Sequence, residues 1–333
     1  MINKDWLGLI KEEIVDPERE ICDPHHHLWH RNGSKYLLEE FLLDIQSGHN
    51  ITSTVYVECE SMYSKDLAKG LAPVGETEFV QGVAAMSASG GFGDCRVAKG
   101  IVGFADLSLG SAVQTVLESH VDAASKRFKG IRHATGWHES PRIKNSHSNP
   151  KKGEMLTDPF LEGFAILGGL NLSFDAWCYH EQIPEIVQLA SIYPETKIVL
   201  DHFGGPLGVG PYEGKGDQVF GNWKEAISEL APSNNVYFKL GGINMKVNGY
   251  DWHKQAYPAT SDQLVDLTGR YYEFCIDLFG TKRCMFESNF PVDKVSVSYH
   301  ILWNAFKKLS RQLTEEEKKD LFYQTAATVY NLD

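Results

Sequence analysis

Eight short apolar runs, most of them turning polar over their last two or three residues, recur along this chain: EICDPHHH (20–27), ITSTVYVEC (51–59), VAKGIVGFADL (97–107), FKGIRHAT (128–135), LNLSFDAW (170–177), TKIVLDHF (196–203), NVYFKLGG (235–242) and RCMFESNF (283–290). Strands buried on both faces of a parallel sheet read this way, and polar tips suit an active face at the strand C-ends. Amphipathic stretches separate the runs, at 36–46, 112–126, 158–169, 181–193, 222–231 and 261–280. A final helix over 313–332 opens with a capping box from Thr314 to Glu317. A repeated β–α alternation over 333 residues predicts a closed (β/α)8 TIM barrel, one domain over 1–333 with loop insertions at its C-terminal face. An open doubly wound sheet is the second choice, and no GxGxxG or GxxxxGK[ST] follows any strand to support a nucleotide site.

Some segments interrupt the pattern. Residues 73–100 predict a helix and then a Gly-rich turn, breaking the alternation. The polar or Gly/Pro-rich stretches 137–155 and 204–221 follow strands four and six, which places them over the barrel mouth.

A net charge of −12 disfavours nucleic acid or an anionic membrane as partner, leaving a small-molecule substrate. Acidic residues stand where a signal peptide has its apolar core, and no apolar run reaches the roughly 20 residues of a membrane span. Six cysteines lack any CxxC pairing, so free thiols in a reducing cytoplasm are expected. Assembly into a homo-oligomer stays open.

The chemistry concentrates in a few strand tips. In ICDPHHHLWH, counting by twos puts Asp23, His25 and His27 on one face and Cys22, Pro24 and His26 on the other. His25 and His27 then converge on one ion or substrate, unless the cluster is structural, capped by Asp23 and stacked on Trp29. KIVLDHFGG brings Asp201 and His202 to the same rim. Three imidazoles, His25, His27 and His202, leave one open tetrahedral position, as a catalytic Zn²⁺ requires. Arg132 ends strand four, where it clamps a carboxylate or carbonyl or closes a rim salt bridge. On the last strand Glu287 and Asn289 share a face with Ser288 opposite, and a carboxylate there is a general base or fourth ligand. Glu58 and Asp175 are further inward candidates for substrate contact, or hold neighbouring strand ends.

Together DxHxHxW (Asp23–Trp29), KGIRH (Lys129–His133), LDHFG (Leu200–Gly204) and FxSxFPVD (Phe286–Asp293) resemble the amidohydrolase 2 branch of the amidohydrolase superfamily of TIM-barrel hydrolases, over nearly the whole chain. That resemblance implies a lactonase, acting on sugar lactones or related anionic cyclic esters, with metal-dependent decarboxylation in a sister branch as the alternative. A barrel that binds a ligand without catalysis is the remaining reading. The resemblance gives His25, His27 and His202 metal or substrate binding and Arg132 a grip on substrate. Trp29 is expected to contact substrate too, and Glu287 and Asn289 join the histidines as catalytic candidates. One divalent metal, Zn²⁺ first, is implied, yet some lactonases of this branch work without metal. The chain departs from the branch at strand eight. Where GSDxP carries a catalytic aspartate, it reads Glu287-Ser288-Asn289-Phe290-Pro291. Asn289 accepts no proton at neutral pH, so the carboxylate role falls to Glu287, with Asp293 as a second possible base that a turn role after Pro291 suits better.

Overall fold

The computed structural model describes residues 2–31 and 33–332. Eight parallel strands follow one another around a sheet in chain order: β1 (Glu20–His26), β2 (Asn50–Val57), β3 (Arg96–Gly103), β4 (Phe128–Arg132), β5 (Ser173–Ala176), β6 (Ile198–Leu200), β7 (Val236–Leu240) and β8 (Cys284–Phe286). The ring closes just beyond β8, where the His27 amide donates to the Phe290 carbonyl and the Asn289 amide to that of His25. This is a (β/α)8 TIM barrel. Each strand is followed by a helix: α1 (Leu38–Ile45), α2 (Val74–Ala88), α3 (Val113–Ala124), α4 (Asp158–Gly169), α5 (Ile183–Ile192), α6 (Gly216–Leu230), α7 (Ser261–Phe279) and α8 (Tyr299–Leu309).

Alternation along the strands sorts their side chains into two layers. Outward residues such as Ile101, Ile131, Phe174, Leu200 and Phe286 pack under the helices. Inward residues Cys22, Val55, Val57, Val102, Val199 and Met285 fill the lower barrel against Ala326, Ala327, Val329 and Tyr330 of the C-terminal segment, which closes the floor. Above this apolar plug the inward positions become Arg132, Asp175, Asp201, Lys239 and Glu287, all buried. The polar tips of the apolar runs are this upper layer.

Two expectations change. Residues 73–100 do not interrupt the alternation, since α2 is the ordinary crossover between β2 and β3. The final helix is present with its capping box, running from Glu315 to Val329 with a π-helical turn at Asp320–Gln324 inside it. Asp23 does not share a face with His25 and His27. The β1–β2 register slips between Asp23 and His26, and this bulge turns Asp23 outward, where it accepts hydrogen bonds from Tyr299 Oη (2.8 Å) and the Ser288 amide (3.0 Å).

Candidate active site

His25 and His27 leave β1 past the bulge and point into the barrel mouth, with ring centroids 4.9 Å apart. A regular strand would send Asp201 and His202 to opposite sides. Here His202 adopts φ 53°, a left-handed conformation that swings its ring back over Asp201, 4.5 Å from that of His25. The room for this comes from β7, because a Cβ on Gly242 would lie 2.1 Å from His202 Nδ1.

Glu287, fully buried, ties the two histidines together. Its Oε1 accepts from His202 Nδ1 at 2.5 Å, and its Oε2 lies 2.8 Å from His25 Nδ1. Burial alone would raise this carboxyl, but His202 and His25 beside it bring it down to about 2. His25 is held well below the usual imidazole value, first by burial and then by the Lys239 ammonium 3.2 Å from its Nδ1. The neutral ring keeps a lone pair. His27 is likewise held low by burial and then by Arg132. Its Nδ1 donates to the Val57 carbonyl (2.7 Å), and Nε2 faces Asn289 Oδ1 at 3.3 Å.

Asn289 is steadied by its own donation to Asp293 (3.1 Å), whose carboxyl burial pushes up to about 7. Arg132 does not present a free guanidinium. Nε donates to Glu58 Oε1 (2.8 Å) and Nη2 to the Glu58 carbonyl, while Nη1 lies 3.4 Å from His25 Nε2. Asp175 lies beneath the histidines, fully buried, and accepts from Lys239 (2.6 Å) and Tyr330 Oη (2.6 Å).

A cleft of about 630 Å³ opens above this layer, large enough for a small metabolite. His27, Trp29, Arg132, His202 and Asn289 line it, joined by Trp177 and Tyr179. Glu287, Glu58 and Asp175 are not among its lining residues. They act on whatever enters only through the side chains they hold. The 137–155 loop contributes Lys144, Asn145, Ser146 and His147, whereas the 204–221 loop contributes nothing.

For a metal, the structure brings together His25, His202 and Glu287, with ligand atoms all within 4.8 Å of one another. His27, the third imidazole of the expected set, stands outside this group. Glu287 Oε2 is buried and accepts no hydrogen bond, so the donor set fits one divalent cation.

The family model described as Amidohydrolase covers residues 22–332. The chain belongs to the amidohydrolase family. This amidohydrolase is 31% identical to uncharacterized protein y4mH of Sinorhizobium fredii, over 94% of this chain and 98% of that one. It is 28% identical to an L-fucono-1,5-lactonase of Burkholderia multivorans, over 52% of this chain and 56% of the relative. A crystal structure of an amidohydrolase from Burkholderia multivorans with bound zinc has the same fold, with a TM-score of 0.71 at 21% identity, covering 95% of this chain and all of that one.

Several residues of the amidohydrolase site escaped sequence reasoning, among them the aromatic pair Trp177 and Tyr179 and the charged or titratable Lys239 and His147. Lys239 left a signal, being a lysine between Phe238 and Leu240 in an apolar parallel strand. Its ammonium pairs with Asp175 (2.6 Å) and Asp201 (3.2 Å). His147 left none, since it sits in a polar loop and meets Glu58 only through the fold. Among the described residues no helix is long and apolar enough to cross a membrane.

Proposed function

We propose that this chain opens the ring of a small lactone, with His202 as the base that activates water. The observation that carries the reading is the His202–Glu287 pair. The bond from Nδ1 to a buried carboxylate fixes the ring and leaves Nε2 as its cleft-side nitrogen. A water there loses its proton to Nε2 as its oxygen attacks the ester carbonyl. Arg132 sets a fixed positive charge beside the oxyanion that forms. Trp29, Trp177 and Tyr179 offer flat faces to a sugar-like ring. The lactonase name of the Burkholderia multivorans relative points the same way.

His25, His202 and Glu287 would hold a divalent ion, Zn²⁺ first for this nitrogen and oxygen set, and such an ion would supply Lewis acidity at the carbonyl. His202 would then spend its lone pair on the ion, so its role as base belongs to the metal-free form. The test is a panel of sugar and simple aliphatic lactones, assayed with purified protein before and after chelation and after reloading with zinc or manganese. Ring opening by any of these forms is expected. If every form leaves the lactones intact while an aromatic acid loses carbon dioxide, the decarboxylase alternative replaces this reading.

A further inference from the structure

Opening a lactone needs an acid as well as a base, because the ring oxygen leaves as a strongly basic alkoxide. We propose that His147 is that acid, an inference that rests on the lactonase reading. The ring sits on the wall of the same cleft as His202 and Arg132. Its Nε2 lies 3.1 Å from Glu58 Oε2, while Nδ1 has no hydrogen-bond partner among the described residues. Glu58 is wholly buried, and its other oxygen is engaged by Arg132, so it offers this imidazole a fixed carboxylate.

The loop around His147 is pinned at several points. The Ser146 amide donates to the Gly136 carbonyl (2.8 Å), the His138 amide to Asn145 Oδ1 (2.8 Å), and Tyr179 Oη to the Lys144 carbonyl. Its side chain is 28% accessible, so it faces the cleft without being sealed in.

The charges around this ring favour its protonated form, whereas burial disfavours that form in its neighbours. Glu58, foremost, and Glu60 lie beyond the end of β2 and favour the charged form. Burial opposes it, as does Arg132 at the end of β4, and the balance raises His147 above the usual imidazole value. His133 beside Arg132 is held low by burial, and Phe104 after β3 packs against the ring without charge. His27, on the wall of the same cleft, is held low by burial.

In the reaction, water forms its bond to the carbonyl carbon and gives a proton to His202 Nε2. The tetrahedral oxyanion then collapses, the ring carbon–oxygen bond breaks, and the departing oxygen takes the proton of His147 Nδ1. Lactone and water become a hydroxy acid, and solvent returns the proton from His202 to His147. Glu58 is a positioning residue, since it acts only through His147 and Arg132.

The test compares His147→Gln with the unaltered protein on a saturated δ-lactone and on dihydrocoumarin, whose phenoxide leaves without an acid's help. The variant is expected to lose about 10²- to 10³-fold in kcat on the saturated lactone and less than about tenfold on dihydrocoumarin. In the unaltered protein kcat on the saturated lactone falls as pH rises through the imidazole range, and the variant loses this limb. Equal losses on both substrates, or none, would overturn the assignment while leaving the lactonase reading intact. An unaltered protein that opens neither lactone removes both. Should the variant fold poorly, the unaltered enzyme decides alone. Its kcat differs little between the two leaving groups if His147 protonates them, and steeply if it does not.

Discussion

Glu287 has no exposed surface and two imidazole partners, so its loss acts through them. Glu287→Gln keeps the volume but offers His202 Nδ1 no charged acceptor, and the amide is free to present its NH₂ instead. The imidazole then has no reason to hold Nε2 toward the cleft with a free lone pair. We expect kcat to fall on the order of 10³-fold with folding retained, by analogy with other carboxylate–histidine pairs. Parallel activity and circular-dichroism melts check it, and turnover near that of the unaltered protein would remove Glu287 from the machinery. Residues of this kind are only half legible in a sequence. Position and alternation drew attention to Glu287, His25 and His202. The bulge that turns Asp23 outward, and the distance of His27 from the carboxylate, depend on register, which no local pattern records.

At the scale of elements, the β7 exit decides whether the site can assemble. Gly242 holds φ 67° where His202 crosses it, and Gly241 makes way for Glu287, whose carbonyl a Cβ would approach to 2.2 Å. Gly242→Ala both strains a left-handed residue and drives a methyl into the His202–Glu287 bond. A displacement of that size is expected to cost at least about a hundredfold in kcat. The melting temperature should shift by only a few degrees, and a variant of normal activity would show that His202 has slack. All eight strands could be read in advance because buried parallel strands are continuous apolar runs. Helix α8 escaped sequence reasoning, although His300, Asn304, Lys307 and Lys308 mark a polar stripe at helical spacing. In the fold that stripe is itself partly covered, with Asn304 and even Lys307 buried. The N-terminal strap covers that side, with the Val15 amide donating to Asn304 and Lys307 to the Asp16 carbonyl.

For the whole molecule, buried titratable groups set a pH window. His25, His26, His27, His49, His120 and His180 are all held below the ordinary imidazole value, chiefly by burial, with His26 and His49 at about 3 and His120 and His180 at about 4. The unfolded chain therefore binds more protons at these sites below pH 6.5, and stability drains away as pH falls. Burial also raises Asp23 and Asp175 to about 6 and Glu76 and Asp293 to about 7, and these four work in the opposite sense over the same range. The lowered histidines outnumber the raised acids, so the net effect is a loss of stability as pH falls from 6 to 5. The melting temperature should be nearly level between pH 7 and 8 and drop steeply between 6 and 5. A rise on acidification would contradict the neutral histidine core.

The ion pair between His147 and Glu58 also bears on how such a catalyst could be altered. The base and its carboxylate belong to barrel strands and their rigid ends, while the acid arrives on a loop fastened by side-chain bonds. In an engineer's vocabulary the loop over 133–157 is a cassette and the barrel a chassis. Exchanging the cassette would retune which leaving groups are tolerated, and the water-activating half would carry over unchanged.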